Sequence, residues 1–371
     1  MIGALQLFCL ILYEVIAALV LGAFRKMSPK SKKVYLIIAL MPLACMTMFH
    51  SASIGNDTGV YIDLFDQIRG SSFDFVLNNT RYEKGYLIYN YVLTRLFDSC
   101  QSLFIVTGAF VYLSLARWLI KWSEAPGLFV CLIVEMLVID SWMSVLRQSI
   151  AMAILFWAYD FMMEKKPIRF LLVVAIASSF HKVAIAFIII YPVVHFLDNQ
   201  NKTHKLETLI IIGGLVVGML FDKVLNVAVS IFPVYSYYLN GIYANGEPRI
   251  SIYLRILIFV LMFWLPRWAE KRKLDPKNDL KFRSLYRFSI LNIAFMLMAN
   301  QATIIMRLAS LYSIYAVLDY SENVSGLNAY NNRKIVVLLS VILFGIYGIF
   351  ITVLKTPEWQ TTYPFFWFWQ S

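Results

Sequence analysis

Charge is what this sequence has least of. Asp, Glu, Lys and Arg make up 15% of its 371 residues, against about 25% in an ordinary soluble domain. With 60% apolar and 16% aromatic side chains, that shortage excludes a soluble globular protein and leaves a polytopic membrane protein. Cysteine is scarce too. The four, at 9, 45, 100 and 131, lie mostly inside apolar runs and follow neither the spacing of a metal site nor a disulfide framework. Asp-x-Asp is missing altogether, so the sequence gives no reason to expect a divalent ion, and no cofactor is implied. Nor is there an internal repeat, a low-complexity tract or a soluble domain.

What is present is long apolar runs. Read as stretches of about 17 to 25 residues, they fall near 5–24, 34–50, 101–119, 127–143, 147–163, 168–181, 182–197, 206–222, 250–267, 284–300, 302–320 and 335–354. The expectation is one all-α polytopic membrane domain over 1–371, with about twelve spans and a range of ten to fourteen. The first run has no cationic segment before it and carries Arg25 and Lys26 behind it, so it reads as a retained helix rather than a signal peptide. The formal charge of +11 does not point to nucleic acid. Most of the Lys and Arg gather in alternate loops, which the positive-inside rule reads as cytoplasmic, with both termini outside.

Two stretches are expected outside the membrane on the other face. Residues 51–100 hold Asp57, Asp63, Asp66, Asp74, Glu83 and Asp98. Within them Ile54, Tyr61, Leu64, Phe65 and Ile68 recur at helical spacing, which predicts an amphipathic helix lying on the membrane surface. Residues 223–249 are rich in Tyr and close on Asn-Gly and Glu-Pro turn signals.

Five ionisable residues stand at the outer ends of apolar runs. Arg147 heads one run, and after a turn at Glu164-Lys165-Lys166-Pro167 the chain returns to His181 and Lys182. The return leg of about 14 residues spans roughly 21 Å, short of a core of about 30 Å. Arg255 and Arg307 are expected at a similar depth, and Arg287, near the inner end of its run, is read as snorkelling to the interface. Ionisable groups inside a membrane commonly face a cavity and mark function. Guanidinium is a rigid fork of donors that stays charged, which suits phosphate. The outer face of a membrane offers no nucleotide pool, so a phosphate there is expected on a lipid.

The acidic partners are Asp57, followed by Tyr61, and Glu83, followed by Gly85-Tyr86. Transfer of a sugar needs a base beside the attacking hydroxyl and positive charge on the leaving phosphate. Asp57, Glu83 and His181 are the catalytic candidates. Asp63 and Asp66 fit a solvated helix face.

In order along the chain, Asn56-Asp57-x-x-x-Tyr61, Glu83-x-Gly85-Tyr86, Arg147-Gln148-x-x-Ala151, Phe180-His181-Lys182 and Arg307-x-x-x-Leu311-Tyr312 resemble the EpsG family of Wzy-like polysaccharide polymerases. The similarity covers about 50 to 320, and Lys182 departs from the serine common after the histidine. The resemblance implies a fold like that of lipid-dependent, GT-C-like glycosyltransferases in a bacterial cytoplasmic membrane, with its active site on the extracytoplasmic face. It implies an undecaprenyl-diphosphate-linked oligosaccharide as substrate, and a flippase and a chain-length regulator as partners. On this reading Arg147, Gln148, Arg255, Arg307, Lys182, Tyr61 and Tyr86 bind substrate. Two other readings compete. A flippase for the same lipid-linked glycan would fit a cationic cavity, although the sequence shows neither pseudo-repeats nor paired interrupted helices. A membrane O-acyltransferase would need an acyl donor on the side away from cytoplasmic acyl-CoA.

Overall fold

The computed structural model describes residues 2–79, 81–196, 203–220, 250–269, 279–299, 305–327, 330–355 and 362–370, and the isolated positions 223, 226, 227 and 230. Among them the regular structure is helical. No strand is present beyond one bridge between His50 and Trp367. The Tyr-rich stretch 223–249 lies almost wholly outside the described residues.

The helices are α1 (Ile2–Val20), α2 (Pro29–Phe49), α3 (Thr58–Arg69), α4 (Phe73–Asn78), α5 (Lys84–Leu96), α6 (Gln101–Trp122), α7 (Pro126–Glu135), α8 (Val138–Ser144), α9 (Leu146–Met163) and α10 (Pro167–Phe180). A 3-10 segment, Lys182–Ile189, leads into α11 (Ile190–His195). Then come α12 (Thr203–Met219), α13 (Ile250–Ala269), α14 (Leu280–Ala299), α15 (Met306–Ser325) and α16 (Tyr330–Lys355). Proline opens α2, α7 and α10 at their first turn, where its missing N–H costs no helical bond. Ser28 caps α2, its hydroxyl accepting from the Ser31 N–H at 3.2 Å.

Four described helices, α1, α2, α6 and most of α16, are long and apolar enough to cross a membrane, and a fifth results if α7 and α8 count as one bent span. Each apolar run of the sequence has a helical counterpart, but the expected count of about twelve is not reached by this measure. The run at 127–143 is split by a 59° bend where Leu137 takes a left-handed conformation at φ 57°. The run at 182–197 is a 3-10 segment followed by only six α-helical residues. The qualifying helices turn large apolar side chains outward, with Ile37 63% and Leu113 71% exposed. Such a surface calls for lipid around it.

The chain divides into two compact units, Met1–Ile185 with Val324–Ser371, and Ala186–Asn323. In the first unit α2 packs on α6, α6 on α9, and α9 on α10 as a hairpin, while α1, α7 and α16 pack on one another. Asp160 near the end of α9 ties it to α6 by accepting from Trp122 Nε1 at 2.6 Å and pairing with Arg117 and Lys121. The helix expected at 54–68 forms as α3 from Thr58 onward, with Ile54 in the turn before it. Its apolar face, however, is taken up by protein: Tyr61, Leu64, Phe65 and Ile68 are buried in a cluster with Tyr86, Leu87, Leu103, Phe104 and Leu146. In the second unit α14 carries α11, α12 and α13 against it, and Phe288 stacks on Tyr315 with centroids 4.1 Å apart. Arg287 does not snorkel. It is 1% exposed and paired with Glu207 at 3.3 Å, because α12 supplies a carboxylate to the buried face of α14.

Candidate functional site

The α9–α10 hairpin fixes one end of the site. Arg147 is the second residue of α9 and His181 the residue that ends α10, so the tight turn at the far end, with Lys165 at φ 56°, brings the two termini side by side. His181 leaves the helix in an extended conformation and donates its backbone N–H to Ala177 O at 3.1 Å. Its side chain is buried.

Between the two ends sits Glu83. Its carboxylate accepts from Arg147 Nη1 at 2.5 Å and from the Lys182 backbone N–H at 3.1 Å, and it lies 3.6 Å from His181 Nδ1. Glu83 stands just before α5, outside the apolar spans. Burial alone would raise its carboxyl, but the adjacent His181 imidazole, the Arg147 charge and the Lys182 N–H outweigh burial and hold it at about 2. It is therefore ionised at any physiological pH.

Gly85 explains how Glu83 gets there. A Cβ at this position would lie 2.7 Å from the carbonyl oxygen of Ser179 and 2.9 Å from its carbonyl carbon, so the first turn of α5 rests directly on the backbone at the end of α10. Lys84 closes the preceding turn by donating to Val76 O at 3.1 Å and Asn79 O at 2.7 Å. The Arg147 guanidinium also lies 5.2 Å from the centre of the Tyr82 ring, a cation–π contact. Among the described residues its Nε is buried without a hydrogen-bond partner.

Tyr61 and Tyr86 meet edge to face at 5.9 Å beneath this cluster. Burial is the main cause that pushes the Tyr61 phenol up to about 12, and the Arg147 charge works against it. Asp57, half-buried at the start of α3, adds its charge to the same phenol. The loop carrying it is pinned from α8, where Ser144 Oγ accepts from the Asn56 N–H at 2.9 Å.

Of the residues singled out in the sequence, Glu83, Arg147, His181 and the Lys182 backbone form one cluster, with Tyr61 and Tyr86 packed below and Asp57 acting on Tyr61. Gln148 is buried next to Arg147 in sequence. The Lys182 side chain is exposed, and what this position gives the cluster directly is its backbone N–H on Glu83. Arg255 on α13 and Arg307 on α15 are half-buried in the second unit. Sequence reasoning missed Tyr82, Ser144 and Ser179. Tyr82 adjoins Glu83, but nothing in its local pattern marks Ser144 or Ser179, whose parts depend on which helix ends meet. Among the described residues no group of three His, Cys, Asp or Glu side chains could hold a metal ion.

A buried carboxylate joined to an arginine and set against a histidine can orient that histidine for proton transfer and hold the guanidinium toward an anion. The profile of one family, described as the EpsG family, matches residues 33–367. Comparison with curated proteins and with solved structures gives no match.

Proposed function

The chain belongs to the EpsG family, a family of Wzy-like polymerases, and from that membership and the Glu83–Arg147–His181 cluster we propose that it polymerises a bacterial surface polysaccharide from lipid-linked repeat units. The substrate is an oligosaccharide on undecaprenyl diphosphate, and the reaction takes place on the outer face of the cytoplasmic membrane. A hydroxyl of the terminal sugar of one unit attacks the anomeric carbon of a chain held on a second carrier. The glycosidic bond to the new sugar forms as the bond to the diphosphate breaks, and undecaprenyl diphosphate leaves with the electron pair.

The observation that carries this reading is the junction of Glu83, Arg147 and His181 from three separate segments. A carboxylate held at about 2 is a weak base, so Glu83 is assigned to positioning and His181 to receiving the hydroxyl proton. Arg147 meets the negative charge that grows on the diphosphate. Preorganised charge of this kind is often the largest catalytic contribution. Asp57 orients the acceptor, and Tyr61, Tyr82 and Tyr86 support the cluster. Arg255 and Arg307 are further phosphate ligands by residue type alone.

The test is reconstitution of the purified protein with undecaprenyl-diphosphate repeat units and a gel for longer products. A ladder without nucleotide sugar or ATP supports the polymerase. The bend between α7 and α8 favours a second reading, since transporters bind cargo at interrupted helices. Movement of the lipid-linked glycan across the bilayer with no ladder would establish that reading instead.

A further inference from the structure

Away from this cluster, the bundle of α1, α7 and α16 encloses two carboxyls that no polymerase step uses. Glu14 of α1 and Glu135 of α7 are both 0% exposed, and all four of their carboxyl oxygens lack a hydrogen-bond partner among the described residues. Tyr35 of α2 is equally buried, with an unpartnered hydroxyl. Cys131 of α7 links them: it lies within electrostatic reach of both glutamates, and Tyr35 within reach of Glu14 and Cys131. A Cβ on Gly345 would stand 3.9 Å from Glu135 Oε1 and 3.9 Å from Ile11 Cγ2, so the Glu135 carboxyl points into the seam between α16 and α1.

The backbone marks the same place. Glu135 is the last residue of α7, where the span bends by 59° into α8, and a helix that ends inside a membrane leaves carbonyls without intrahelical donors. Discontinuous helices hold small cations, the proton among them, at such breaks. The titratable groups around the two carboxyls are Tyr13 from α1, Tyr35 from α2, Tyr112 from α6 and Cys131 from α7. At its contact α16 presents Gly345 and Gly348. None of these is a cation, and an unpaired carboxylate in this setting is strongly disfavoured. A neutral carboxylic acid, by contrast, carries no charge to desolvate there.

We propose that α1, α7 and α16 hold a proton-binding site inside the membrane, formed by Glu14 and Glu135 at the break between α7 and α8. Each carboxylate takes one proton from water and becomes a neutral carboxyl in its buried place. Loss of those protons places a buried charge at the bend, on Glu135, and another on α1, and loosens α8, which carries Ser144 and through it the Asn56–Asp57 loop. The site stands on this geometry and not on the polymerase reading.

The experiment is labelling of the full-length purified protein in detergent with dicyclohexylcarbodiimide, an apolar reagent that adds to protonated carboxyls, followed by peptide mass spectrometry. Adducts are expected on Glu14 and Glu135 at neutral pH and not on Glu83, falling about tenfold per pH unit once the protons are lost, as a single protonation equilibrium requires. A monodisperse protein with no adduct at either glutamate overturns the proposal. So does protection by sodium, but not by choline, at fixed pH, which would make the occupant a metal ion. A second measurement follows thermal midpoints from neutral to alkaline pH. The wild type should lose stability as pH rises, while Glu14→Gln/Glu135→Gln, which keeps the shape without the titration, stays level. Parallel curves would overturn the proposal.

Discussion

Arg147 and Glu83 are 64 positions apart in the chain, yet the guanidinium donates to the carboxylate at 2.5 Å. That bond joins the start of a long apolar helix to the short helices of the 51–100 stretch, and the His181 end of the hairpin closes on the same carboxylate. Most of what the site is expected to do follows from this three-way junction.

Arg147→Ala should reduce polymerisation by about a hundredfold or more, the usual effect of losing one preorganised contact to developing charge. Arg147→Lys keeps the charge but not the fork, and should fall between the two. Initial rates with a matched lipid-linked substrate check both, and a normal rate in the alanine variant would remove Arg147 from the diphosphate site.

Glu83 makes the fold sensitive to acid. Its folded carboxyl is depressed from 4.5 to about 2, so the stabilisation it contributes is present above 4.5 and is lost as pH falls through that interval. Thermal midpoints of the wild type in detergent should drop between pH 4.5 and 2, and Glu83→Gln should show a shallower drop from a lower starting value. Equal slopes would mean that the carboxylate has no special standing in the folded state.

Gly85→Ala forces a methyl against the Ser179 backbone, where no rotamer change can relieve it, and should cost about 1 to 3 kcal/mol as overpacking does. It should also displace Glu83 and lower activity. Gly59→Ala, at an exposed position of α3 with nothing within 4 Å, should be neutral or gain up to about 1 kcal/mol from helix propensity. Denaturation of the two variants side by side tests the contact.

Lys182→Ser should behave like the wild type, since the side chain is exposed and the amide is kept. Lys182→Pro removes the N–H that Glu83 accepts, while His181, already extended at φ −152° and ψ 114°, tolerates a following proline. A loss of about 1 to 3 kcal/mol with reduced activity is expected for proline alone. If serine proved as damaging as proline, the side chain and not the backbone would be what matters at 182.

The sequence by itself determined the all-α membrane character, because apolar density and run length are local quantities. It determined α3 by the spacing of Tyr61, Leu64, Phe65 and Ile68, and the nearness of Arg147 to His181, since a tight turn between two helices leaves no other geometry. These are properties of a few consecutive turns of backbone. What covers a face, and which distant group meets a charge, are settled by packing between elements, and no period in the chain encodes them. So the tertiary structure alone decided that α3 turns its apolar side to protein and that Arg287 is buried on Glu207. It alone decided that the span at 127–143 breaks at a leucine, without the glycine or proline that would have announced it. The same holds for Glu83, whose place between Arg147 and His181 exists only because Gly85 lets α5 rest on the backbone of α10.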